Sequence, residues 1–503
     1  MEESMEYLLD AVQMKAADHY TIRQLGIPSL ELMERAALSC VEAMEQWRPG
    51  RALIVCGSGN NGGDGFAIGR ILLERGADVT LVFAGRMESR TEETVRQMER
   101  FKQAGGKVCG TFEPGAYDVV ADALFGAGLN RDITGDYLDI VKKMNESEGK
   151  KLAVDIPSGI SAATGCVMGA AFRADVTVTF QEKKLGLCLF PGRSYAGEVL
   201  VSDIGIDSSL ITRGRDVCYT VDKSDAKKML PPRPADSHKG TFGKLLLIAG
   251  SRGMAGAAFL SAYSAYRMGA GLVQIYTAEE NRTVLQQLIP EAVISAYEEF
   301  DREELKTKLA WADAVCIGPG IGISEISRHI LNTVLKEGEV PCMIDADGLN
   351  LLASDSRLMK GLSEGKYVLT PHMKELSRLT GRPVEDIKKN RKELLELFAE
   401  QYGVTLVQKD ACTLVGESGR HTYVNQTGSA AMAKAGSGDV LSGMIAGLMA
   451  QGKEPYEAAV LGVYLHGLAG ELACERLGDY SVLARDLAEH IGSAVLQIIN
   501  EKH

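Results

Sequence analysis

Residues 56–70, CGSGNNGGDGFAIGR, follow the apolar run Ala52-Leu53-Ile54-Val55. A short apolar strand, then Gly57-x-Gly59-x-x-Gly62, then a helical pattern, is the spacing of a dinucleotide-binding α/β unit. A Gly-rich turn alone would also satisfy that pattern. Asn60, Asn61 and Asp64, however, supply more side-chain oxygens than a turn requires. An ordinary redox site also needs an acid at the end of the second strand, or an Arg for a phosphorylated ribose. That end reads Leu81-Val82-Phe83-Ala84-Gly85-Arg86, with Arg86 as the one charged candidate. The loop therefore departs from an ordinary nicotinamide redox site.

Residues 8–47 have helical periodicity with a break at Gly26-Ile27-Pro28. Strands are expected at Ala52–Cys56, Asp78–Phe83, Val119–Leu124, Lys151–Asp155 and Asp175–Phe180, with helices such as Phe66–Arg75 and Glu92–Ala104 between them. This alternation predicts a doubly wound parallel sheet. It fades over 207–220, and Pro231-Pro232-Arg233-Pro234 can continue neither a helix nor a central strand. A domain boundary is expected between about 208 and 235, giving domains 1–215 and 222–503. Strands are expected again at Lys244–Ala249, Leu272–Thr277, Ala314–Gly318, Pro341–Asp345, Tyr367–Thr370 and Thr405–Lys409. Long helices are expected at Asp439–Ala450, Pro455–Leu477 and Ser481–Ile499. The fold class is α/β, with two doubly wound domains.

The 503 residues exceed one ordinary core, and 45% hydrophobic with 24% charged residues is a globular balance. A net charge of −12 argues against general nucleic-acid or anionic-membrane binding. The N-terminal stretch lacks the pattern of a signal peptide, and no apolar run is long enough to span a membrane. The ten cysteines contain no CxxC pair, so a reduced, cytoplasmic setting is expected.

Asp122 and Asp155 sit at two predicted strand ends, in DALFGAGLNRD and DIPSG. Strand ends of an open α/β sheet line one crevice, so Asn61, Asp122, Asp155 and Ser158 are expected to converge there. Oxygen donors with few full charges suit a hard monovalent cation. Asp155 reads either as an acid/base group or as a residue that caps and orients its loop.

GNNGGDG, DALFG and DIPSG together resemble the NAD(P)HX epimerase family, the YjeF N-terminal domain, over about residues 7–210. The resemblance implies a Rossmann-like epimerase acting on hydrated NADH or NADPH (NADHX and NADPHX). It implies substrate contacts from Asn60, Asn61, Gly62, Gly63, Asp64, Gly126, Ala127, Gly128, Leu129, Asn130, Arg131, Asp132 and Asp155, and a potassium site of Asn61, Asp122 and Ser158.

In the second half, AKAGSGDVLSG (433–443) opens a helix with Gly436-Ser437-Gly438-Asp439. Amides at a helix start meet anions, and Asp439 there reads as a base toward a hydroxyl attacking phosphate, or as an N-cap. Gly318-Pro319-Gly320-Ile321-Gly322, Asp345–Asn350, Thr370–Leu376 and Lys409–Thr413 end neighbouring strands. Residues 225–503 resemble the ribokinase-like fold, and more closely the ADP-dependent NAD(P)HX dehydratases. That resemblance implies nucleotide contacts from Lys409, Asp410, Ala411, Cys412, Thr413 and Gly438, substrate contacts from Ala257, Gly322 and His372, and catalysis by Asp439, with ADP as co-substrate and Mg2+ on its phosphates. A homo-oligomer is expected. His466, His490, Trp47 and Trp311 read as packing residues, and Lys388–Glu400 as a solvated helix face. Three rivals are a vitamin or sugar kinase fused to a nucleotide-binding module, a nicotinamide oxidoreductase, and a non-catalytic N-terminal half.

Overall fold

The computed structural model describes residues 5–214, 216–362 and 365–500. Position 215, the expected end of the first domain, and the outermost residues of both expected domains lie outside the described residues. The chain divides into two compact units, Glu6–Cys218 and the residues from Tyr219 on.

In the first unit, helices α1 (Ala11–Arg23) and α2 (Ser29–Glu45) precede the sheet. Asp10 caps α1, accepting from the backbone N–H of Val12 and Gln13. The sheet comprises β1 (Arg51–Cys56), β2 (Asp78–Phe83), β3 (Val108–Cys109), β4 (Ala116–Ala123), β5 (Glu148–Val154), β6 (Val176–Phe180) and β7 (Glu198–Ser202). Their order is β3-β2-β1-β4-β5-β6-β7, and every pairing is parallel. Residues along β1 alternate between two cores: Ala52, Ile54 and Cys56 face one, Leu53 and Val55 the other. Burial on both faces explains why the strand reads as an unbroken apolar run. Strand order reverses between β1 and β4, which opens a crevice beyond their carboxyl ends.

α3 (Asn60–Glu74) starts earlier than the periodicity predicted, so the Asn-Asn-Gly-Gly-Asp segment forms its first turns. Two glycines are sterically required there: a Cβ on Gly57 would lie 1.9 Å from the Leu124 carbonyl oxygen, and one on Gly62 1.9 Å from that of Gly57. The short strand Glu6–Leu9 pairs in parallel with Lys183–Lys184, setting Leu9 opposite Lys184.

The second unit repeats the plan with β8 (Lys244–Ile248), β9 (Leu272–Ala278), β10 (Val293–Tyr297), β11 (Ala314–Ile317), β12 (Cys342–Ile344), β13 (Tyr367–Leu369), β14 (Thr405–Gln408), β15 (Leu414–Gly416) and β16 (Thr422–Val424). They run β10-β9-β8-β11-β12-β13-β14-β15-β16, with β15 and β16 antiparallel to their neighbours and the rest parallel. α4 (Ala255–Arg267) follows β8. α5 (Met373–Thr380) and α6 (Arg391–Tyr402) lie between β13 and β14. α7 (Ser437–Ala450) and α8 (Pro455–Leu477) come after the sheet. Residues 440–450 of α7 are all buried, as befits a helix apolar on every side.

The proline segment belongs to the second unit and is not a linker: Arg233 lies over the Phe242 ring at 4.0 Å and hydrogen-bonds the Gly269 carbonyl at 2.5 Å. The Lys388–Glu400 stretch is not one solvated face. It breaks at Asn390 between Val384–Lys389 and α6, and Arg391 is buried. Among the described residues no helix is long and apolar enough to cross a membrane.

Candidate active sites

Beyond β1, β4 and β5 lies a cavity of about 680 Å3. Asn60, Asn61, Asp64, Gly126–Arg131 and Asp155 line it, together with Met14, Lys15 and Asp18 of α1 and Leu32 and Met33 of α2. Gly62 and Gly63 lie buried behind it, and Asp132 faces a neighbouring cavity.

Asp155 follows β5 with φ +69°, a left-handed conformation that is costly for a residue with a side chain. Its N–H donates to Val178 O at 2.8 Å, and its carboxylate pairs with Lys184. Lys184 is 2% exposed, and its ammonium also donates to Thr179 Oγ1 and Phe180 O at 3.0 Å each. With Asp155 these make three acceptors for the three donors of a lysine, so the buried charge is fully satisfied. Asp64 differs. Burial, followed by the charges of Asp155 and Asp18, pushes its pKa well above the ordinary carboxylate value. One cavity thus presents a carboxylate held by a buried lysine and a carboxyl that burial pushes toward its protonated form.

Asp122 and Ser158 meet behind this cavity. Ser158 N and Oγ each donate to the Asp122 carboxylate at 2.7 Å, and Leu124 N donates to it at 3.2 Å. Burial nevertheless raises Asp122 to about 6. Ser158 Oγ lies 2.8 Å from Phe125 N, and the Asn61 amide packs against the adjacent Gly126. Asn61 Nδ2 is buried without a partner, an orphan that an oxygen-ligated cation beside a flipped amide would account for.

In the second unit, Asp345 and Ala346 follow β12, and Ala346 has φ +48°. Lys409, just past β14, donates to Asp345 Oδ1 at 2.7 Å, and Ser442 Oγ donates to Asp345 Oδ2 at 2.6 Å. Burial would raise Asp345, but Lys409 and these bonds hold it below the ordinary carboxylate value. A Cβ on Gly438 would sit 3.3 Å from Lys409 Nζ. Lys409 therefore stands beside the start of α7.

Asp439 occupies the first turn of α7, where the N-cap is Gly436 at φ +92° and no side chain caps the helix. Asp439 is therefore not the cap. Burial, then the Asp345 charge, raises it to about 6, with Lys409 opposing. Gly322 N donates to Asp347 Oδ2 at 2.9 Å, and Ala257 lies in the first turn of α4 against Gly320. Buried Arg391 braces the Asp410–Thr413 loop through Asp410 at 3.3 Å and Cys412 O at 2.6 Å. His372 caps α5, with Nδ1 accepting from Lys374 N and Glu375 N at 3.1 and 3.3 Å. His466, pushed down to about 4 by burial, packs behind the Gly436–Gly438 turn against the Ser437 backbone.

A family model described as YjeF-related protein N-terminus matches residues 29–186, and one described as NAD(P)H-hydrate dehydratase matches 245–493. The bifunctional NAD(P)H-hydrate repair enzyme of Moorella thermoacetica is 36% identical over 508 residues, 96% of each chain. The chain belongs to the bifunctional NAD(P)H-hydrate repair enzyme family. The Escherichia coli K12 member is 34% identical across 95% of this chain and 92% of its own. A ribokinase-like superfamily protein of Enterococcus faecalis matches with TM-score 0.50 and 29% identity, over 56% of this chain and 96% of that one.

In this member of the repair-enzyme family, sequence reasoning missed Lys184 and Arg391. Lys184 sat in the charged run Gln181-Glu182-Lys183-Lys184, which resembles a surface turn. Its strand pairs with Glu6–Leu9, a segment remote in sequence.

Proposed function

We propose that the first unit interconverts the R and S epimers of hydrated NADH and NADPH, and that the second dehydrates the S epimer to NAD(P)H while converting ADP to AMP and phosphate. Family membership supports both halves. The observation that carries the chemistry is Asp439: its carboxylate has no protein partner among the described residues, beside a helix start that Lys409 flanks.

In the second unit, the α7 amides and Lys409 hold a transferring phosphate, and Asp439 takes the proton of the substrate hydroxyl as phosphate is attached. Hydroxide leaves poorly and phosphate leaves well, so elimination follows. Among the described residues no cluster of three His, Cys, Asp or Glu side chains suits a metal, which favours Mg2+ arriving on the nucleotide phosphates. In the first unit, Asp155 takes the proton of the hydroxyl on the epimerised carbon as the bond between that carbon and the ring nitrogen breaks to leave an aldehyde. Asp64 protonates the released nitrogen, and the reverse transfers after rotation reclose the ring in either configuration, with Lys184 fixing Asp155. Asn61, Asp122 and Ser158 would hold potassium, whose charge would tie the loops after β4 and β5 together.

Paired variants test the division of labour. Asp155→Asn should dehydrate pure S epimer normally and stall on R, while Asp439→Asn should epimerise but not dehydrate. Mixing the two should restore the whole conversion. Loss of both activities in either variant would refute it.

A further inference from the structure

A second cavity of about 830 Å3 lies across the loop after β4 from the epimerase cavity, and both share Phe125, Leu129 and Arg131. Each is of a size that houses one nucleotide-sized group, about 300–1,000 Å3. The second is walled at one end by the segment after β2, Ala84-Gly85-Arg86. In a sheet of this strand order, the end of the second strand meets the adenosine ribose, and an acid there binds its 2′-hydroxyl. No acid stands there, and Arg86 is exposed with no side-chain partner among the described residues. The segment is pinned to the glycine turn: Ala84 N donates to Cys56 O at 2.8 Å and Thr91 N to Ser58 O at 3.1 Å. The start of α3, which no side chain caps, lines the first cavity. A pyrophosphate suits that position.

We propose that the second cavity seats the adenosine half of the hydrated dinucleotide, with Arg86 binding the 2′-phosphate of NADPHX. This rests on the epimerase reading of the first cavity. Asp132, Asp136 and Asp139 line this cavity and repel a phosphate, Lys143 is paired with Glu113 at 2.9 Å, and Arg131 is shared with the first cavity, which leaves Arg86 to meet it. Arg86 adds a charge-assisted contact that only the phosphorylated substrate can use.

The test uses the full chain and its Arg86→Ala variant, following epimerisation of pure R-NADPHX and pure R-NADHX by chromatography. KM for R-NADPHX should rise on the order of 10- to 100-fold, the worth of a charged hydrogen bond. KM for R-NADHX and dehydration of either pure S epimer should not change. An unchanged KM for R-NADPHX, or an equal rise for both substrates, would overturn the subsite. A wild-type chain that epimerises neither substrate would overturn the epimerase reading and the subsite with it.

Discussion

Replacing Asp439 by Asn separates chemistry from architecture because the two effects have opposite signs. Burial and the Asp345 charge lift this carboxyl from an ordinary 3.8 to about 6. Each pKa unit is worth about 1.4 kcal/mol, so the folded unit bears up to about 3 kcal/mol against the ionised form. Partial exposure reduces that to about 1–2 kcal/mol. The folded pKa lies above the unfolded one, so the folded state binds more protons between pH 4 and 6. Stability is therefore lost as pH rises through that window and stays lower above it. Asn removes the charge, so at pH 7 the variant's second unit should melt roughly 2–6 °C higher. Turnover should fall ~10²–10⁴-fold, since Asn cannot accept the proton. Wild-type dehydration should fall about tenfold per pH unit below about 6, the range over which Asp439 becomes protonated. Calorimetry of the full chain and a pH–rate profile on pure S epimer provide both readouts. A variant that dehydrates at the wild-type rate, or melts lower at pH 7, would refute the assignment of Asp439 as an unpartnered base.

Lys184→Met should leave Asp155 a carboxylate without its buried partner, destabilising the first unit by about 3–5 kcal/mol. Epimerisation should fall with it, and dehydration of S epimer should survive; a normal melting temperature would show that Lys184 carries no such role. Asp122→Ala should abolish any potassium dependence of epimerisation, measured by replacing potassium with a larger organic cation; retained dependence would place the ion elsewhere. Tyr219 OH lies 3.0 Å from Tyr456 OH, and its ring packs against Tyr423 at 5.6 Å. A second unit begun at 219 should therefore melt higher than one begun at 222, by about 1–3 kcal/mol of lost packing and hydrogen bonding. Equal melting would show that Tyr219 is dispensable.

Much of the fold was legible because it depends on local pattern. β1 and β5 are apolar runs closed by Gly or Asp, so their ends, and with them Asn61 and Asp155, could be placed in one crevice; Asp122, at the end of β4, lies buried behind it with Ser158. The short strands β3, β15 and β16 were not anticipated, because two or three residues carry no period. Arg391 shows another limit. Its neighbours Lys388, Lys389, Lys392 and Glu393 made the stretch read as solvated, yet a bend at Asn390 turns this one guanidinium inward to Gln408 and Cys412. The two units divide at Cys218–Tyr219, inside the expected interval of 208–235, but how the proline segment is held was not legible. A proline cluster marks where regular structure stops, but whether the segment is free depends on what Arg233 touches, and that is a tertiary fact.

The most direct measurement starts from pure R epimer of hydrated NADH, with the wild-type chain, ADP and Mg2+. Nicotinamide absorbance should return in full, with one AMP and one phosphate released per NADH formed. Omitting ADP should leave a mixture of R and S epimers and no NADH. An R epimer that persists unchanged, or NADH that appears without consumption of ADP, would contradict the account.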